Sequence, residues 1–172
     1  MNAFEVRGLL AELIDENPFA IRAVLKILAI EFTDTVPTLA VTAEERPRLL
    51  INLGFVGEHC RTAEHVKAAL CHEFLHVLLR HTSLQGPLTP ARHLALDAVI
   101  NAIIHRQLGE KYSDLMATYY RDAQGLMVLL RPMTQSEGAD LPWRQAWAGL
   151  YRGTVLADDI EQLAQDMVTQ GG

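Results

Sequence analysis

The stretch Cys71-His72-Glu73-Phe74-Leu75-His76-Val77-Leu78-Leu79-Arg80-His81 decides how the rest of the chain is read, because it sets His-Glu-x-x-His inside an apolar, helix-forming run. On an α-helix, residues four apart differ by about 40° around the axis, so His72 and His76 share a face one turn apart. Two imidazoles in that relation can meet one metal ion. Glu73 follows His72 by about 100°, which sets its carboxylate beside such an ion rather than on it, within reach of a proton on an attacking water. The opposite arc carries Leu70, Cys71, Phe74, Leu75, Val77 and Leu78, an apolar stripe for burial. With seven His and twelve Glu in 172 residues, this spacing is expected by chance only about 0.02 times.

Catalytic zinc takes three protein ligands and keeps one open position, so His72 and His76 call for a partner. The next well-marked helix, from Thr89-Pro90 to about Leu108, carries His93, Asp97 and Asn101 at four-residue steps. A helix-loop-helix return brings that face toward the histidines, which makes Asp97 the expected third ligand and Asn101 its hydrogen-bonding neighbour. His81 is the alternative. On a continuous helix it points about 180° from His72, into the apolar arc, but Thr82-Ser83 and Gly86-Pro87 allow the helix to end first. His93 is a further candidate. His59, His65 and His105 lack comparable spacing and read as surface or capping residues.

Outward from the motif, Thr62 is the expected N-cap of its helix, preceded by a loosened stretch at Gly54 and Gly57. Before that, Thr38–Thr42 and Arg48–Leu53 read as a β-hairpin whose second strand, an edge strand, leads to the motif. An extended peptide can add to such an edge. Two helices, Ala3–Glu16 and Phe19–Phe32, form a scaffold at the start. Past Glu110 the pattern predicts a short helix near Ser113–Arg121, a strand at Gly125–Leu130, a helix from Leu141 to Arg152 stopped by Gly153, and a last helix capped by Thr154 and running to Val168.

The length suits one domain, 1–172, with internal parts 1–36, 37–108 and 109–172. A net charge of −6 with scattered basic residues argues against a nucleic-acid partner. No signal peptide or membrane-length apolar run stands in the sequence, so a cytoplasmic protein with no membrane partner is expected. Cys60 and Cys71 then read as reduced thiols, with Cys71 in the core arc rather than on a metal.

These residues resemble a zincin-type metallopeptidase, and more narrowly the bacterial metallopeptidase-like domain associated with von Willebrand A-like domain proteins. The resemblance runs from about Pro37 to Ile104. It rests on Leu50-Ile51-Asn52-Leu53, on His72 to His81, and on Ala95-Leu96-Asp97-Ala98-Val99-Ile100-Asn101. It implies Zn2+ on His72 and His76, Glu73 as general base, and a third ligand from His81 or the Asp97 helix. The metzincin extension is absent, since Leu79 stands where its Gly would be.

The expected fold is α+β, a mainly helical zincin-like domain with a small β-sheet or hairpin beside the His-Glu-x-x-His helix. The expected function is a zinc-dependent hydrolase, a peptidase acting on a peptide or protein substrate, in which Glu73 activates a zinc-bound water. The alternative is a non-catalytic, zinc-braced module that binds a peptide or regulates a partner. A hydrolase for a non-peptide amide fits the same residues.

Overall fold

The computed structural model describes residues 1–83, 88–134 and 141–170, and of 168–170 the backbone alone. Helix takes 65% of these residues and strand 7%, a mainly helical α+β fold. The chain divides into two compact units, Met1–Gln85 and Gly86–Gly172. No helix among the described residues is long and apolar enough to cross a membrane.

The first unit opens with α1 (Ala3–Glu16), started by an Asn2–Glu5 capping box, and α2 (Pro18–Val24). The helix expected over Phe19–Phe32 stops at Val24, and its second half is β1 (Ala29–Phe32). Tertiary pairing overrides helix propensity here, because the backbone from Leu28 to Thr33 is satisfied along a later strand. Leu28 N–H donates to the Pro47 carbonyl at 2.8 Å and Thr33 N–H to that of Ile51 at 3.0 Å.

The predicted hairpin is present as β2 (Leu39–Val41) and β3 (Arg48–Ile51), antiparallel with Leu39 opposite Ile51 and Val41 opposite Leu49. The sheet order is β1-β3-β2, with β1 parallel to β3. The strand leading to the motif is therefore central rather than at the edge, and β2 is the edge that packs against the motif helix. Leu49 and Ile51 are fully buried on one face of β3.

The loosened stretch of the sequence reading is instead a short helix, α3 (Leu53–His59). Asn52 caps it, accepting from the Gly54 and Phe55 amides at 2.8 and 3.3 Å while its own Nδ2 donates to the Val36 carbonyl at 2.7 Å. Then comes α4 (Ala63–Leu78), capped by Thr62 as expected and packed on α1, α2 and β2. Lys67 of α4 is buried against α1, its ammonium 3.1 Å from Glu12 and 2.9 Å from Glu16. A 3-10 turn, His81–Ser83, follows.

The second unit is built on α5 (Pro90–Leu108), capped by Thr89 and followed by α6 (Glu110–Tyr119), a second 3-10 turn (Gly125–Leu130), α7 (Arg144–Arg152) and α8 (Ala157–Gln170). The strand expected at Gly125–Leu130 is that 3-10 turn. Among the described residues the unit offers no strand to pair with, and Val128, Leu129 and Leu130 are buried against Ala98, Trp147 and Ile160 instead. Gly153 ends α7 at φ 81°, as its position in the sequence suggests. Thr154 does not cap α8; its hydroxyl donates to the Gly149 carbonyl, and Asp159 accepts from the Leu156 N–H.

Candidate metal centre

Thr62 sets the start of α4 by accepting from the His65 N–H at 3.2 Å, and burial of the apolar arc sets its rotation. Leu70, Cys71 and Phe74 are fully buried. His72 and His76 are left half-buried on the adjoining arc, their ring centroids 4.8 Å apart and tilted at 60°. Their Nε2 atoms stand 3.1 Å apart. Two nitrogens on one tetrahedral zinc, each about 2.05 Å from it, are separated by roughly 3.3 Å, so the pair fits a shared ion with little adjustment. Glu73, between them in sequence, is 8% exposed.

Helix α4 ends before His81. Leu79 N–H still donates to the Leu75 carbonyl, but Arg80 adopts φ 61° and the chain turns, with Ser83 N–H donating to the Arg80 carbonyl at 3.0 Å. The direction predicted for a continuous helix therefore does not apply. The turn carries His81 back against the motif, its Nδ1 3.1 Å from the Nδ1 of His76. These rings meet edge to face at 73° with centroids 5.1 Å apart. His76 thus faces His72 with one ring nitrogen and His81 with the other. One ring gives one ion one nitrogen, so the two pairs cannot serve the same ion.

Burial pushes the Cys71 thiol up to about 12 and the Cys60 thiol up to about 11, and neither is in a disulfide. Cys71 is fully buried and belongs to the core, as its place on the helix wheel indicated.

No family model, curated protein or solved structure matches the chain.

The remaining sequence-derived residues lie on α5 in the second unit. Asp97 is mostly buried, and His93 Nε2 is 3.4 Å from its Oδ2. The Tyr120 hydroxyl is pushed above its ordinary range, chiefly by burial and then by the charge of Asp97. Asn101 is 2% exposed and its Nδ2 donates to the Leu130 carbonyl at 2.9 Å, tying α5 to the second 3-10 turn.

Two features escaped the sequence reading. The contact of His76 with His81 depends on a helix end at Arg80, and no Gly or Asn stands there to announce a left-handed residue. The other is a cleft of about 530 Å³ in the second unit, lined in part by His105, Glu110, Ser113 and Tyr151. His105, read as an ordinary surface residue, has its Nδ1 2.8 Å from the Ser113 hydroxyl. Burial lowers its pKa, with Glu110 opposing. That contact spans the Gly109 turn between two helices, which no periodic pattern encodes.

Proposed function

We propose that the chain is a zinc-dependent hydrolase that cuts peptide bonds, with His72 and His76 as zinc ligands, Asp97 as the third ligand that its spacing in the sequence suggests, and Glu73 as general base. The observation that carries this reading is the 3.1 Å approach of the two Nε2 atoms on α4, with the buried Glu73 following His72. Two imidazoles and one carboxylate are a donor set of hydrolytic zinc.

When bound, zinc supplies a Lewis acid that polarises a carbonyl and acidifies water. Glu73 accepts a proton from the attacking water and hands it to the leaving amine. Strand β2 holds the substrate chain. Thr38 accepts from Asn52 and the Thr42 N–H donates to Arg48, both on the β3 side, and strand alternation turns the backbone groups of Leu39 and Val41 the other way. An extended peptide adds to that edge through main-chain hydrogen bonds.

The test combines metal analysis of the purified protein with cleavage of a fluorogenic peptide library. One zinc per chain is expected in both the wild type and Glu73→Gln, with turnover lower in the variant by at least about 100-fold. Undiminished cleavage by Glu73→Gln removes the assignment of the base. Bound zinc with a closed four-ligand shell and no cleavage supports the bracing module instead.

A further inference from the structure

The contact between His76 and His81 has a chemical direction once one ring nitrogen of His76 is committed. We propose that His81 is the positioning residue of the metal centre: its Nδ1 accepts the Nδ1–H of His76 and so holds that ring in the tautomer whose Nε2 lone pair is free for the ion. This inference rests on the zinc reading above.

Three observations carry it. The His76 Nδ1 and His81 Nδ1 atoms are 3.1 Å apart, a hydrogen-bond distance that requires one nitrogen to donate and the other to accept. The His76 Nε2 is the nitrogen that faces His72, 3.1 Å away. An imidazole whose Nε2 binds a metal carries its remaining proton on Nδ1, so His76 is the donor and His81 the acceptor.

The third observation is the route by which His81 arrives. Arg80 at φ 61° is the one non-glycine residue with positive φ among the described residues. Backbone strain of this kind persists where the surroundings over-determine it. Here the Ser83 N–H holds the turn by donating to the Arg80 carbonyl at 3.0 Å, and the edge-to-face packing of His81 on His76 fixes its outcome. The turn places a ring nitrogen behind a ligand, at the position where metal-bound histidines find a carboxylate or carbonyl partner.

The variants His81→Phe and His81→Asn separate the hydrogen bond from the packing. Phenylalanine keeps a ring against His76 and removes the acceptor; asparagine sets its Oδ1 near the place of Nδ1 and restores one. Zinc affinity is measured by chelator competition, coordination by the visible spectrum of the Co2+-substituted protein, and the His76 tautomer by long-range 1H–15N NMR of the Zn2+-loaded protein. His81→Phe is expected to weaken Zn2+ binding about 10- to 100-fold with an unchanged Co2+ spectrum, and His81→Asn to recover most of the loss. In the wild type, the His76 signals are expected to show Nδ1–H and a metal-bound Nε2.

Equal Zn2+ affinity in the wild type and His81→Phe overturns the proposal, and so does a His81→Asn variant no better than His81→Phe. A Co2+ spectrum that loses a nitrogen ligand in His81→Phe, or a metal-bound Nδ1 on His76, also overturns it and makes His81 a ligand. Failure of the underlying zinc reading shows separately, as a wild type that binds no Zn2+ or as His72→Ala and His76→Ala variants that bind it undiminished.

Discussion

Arg80 holds φ 61°, a conformation that costs an L-residue with a Cβ roughly 1–2 kcal/mol. Arg80→Gly removes that strain and adds up to about 1 kcal/mol of unfolded-chain entropy. The expected net effect is a stability equal to or up to about 1 kcal/mol above the wild type, while β-branched Arg80→Val falls below it. Urea midpoints of the three proteins check the order; equal midpoints for Gly and Val mean that the position is unstrained. The thiols give a second test at this scale. Burial raises Cys60 to about 11 and Cys71 to about 12, so at pH 8 about one molecule in a thousand or fewer carries either thiolate. Mass spectrometry after iodoacetamide treatment should find both unlabelled in the native protein and both labelled in urea. Labelling of native Cys71 would open its core placement to doubt.

Among the elements, those with a local signature were legible in the sequence. Thr62 and Thr89 cap α4 and α5 through their own hydroxyls, Gly153 ends α7, and the β2–β3 pair alternates as a hairpin should. The candidate site divides in the same way. The spacing of His72, Glu73 and His76 lies within one helix and can be read from it, whereas His81 depends on the conformation of Arg80. What failed was non-local: Ala29–Phe32 has a helical pattern and becomes a strand because β3 pairs with it, and Gly125–Leu130 has a strand-like composition but, among the described residues, no strand beside it. The join between α1 and α4 is equally non-local, with Lys67 between Glu12 and Glu16. Lys67→Met, which removes the charge and keeps the stem, is expected to change stability by less than about 1 kcal/mol. Glu12→Gln with Glu16→Gln strands the ammonium and should cost on the order of 2 kcal/mol. Chemical denaturation of the two variants checks this order.

For the whole molecule, the aromatic residues are divided between the units. Trp143, Trp147 and all four tyrosines follow Gly86, and all five phenylalanines precede it. Tryptophan fluorescence therefore follows the second unit, while far-ultraviolet circular dichroism follows both. Burial lowers the pKa of His105 below its unfolded value of about 6.5, so the unfolded chain binds more protons in that range. The resulting stability is present above the unfolded value and lost as pH falls through the folded one. The fluorescence-detected urea midpoint is expected to fall between pH 7.5 and 5.5, and to fall less in His105→Gln; identical slopes would remove His105 as the cause. In the first unit, the sheet order β1-β3-β2 governs the sequence of events in folding. The β2–β3 hairpin closes across Thr42–Pro47, whereas β1 reaches its parallel partner only across residues 33–47, at a larger loop-closure entropy. In stopped-flow experiments, Ile51→Val is therefore expected to slow refolding, and Ile30→Val to leave refolding unchanged and speed unfolding.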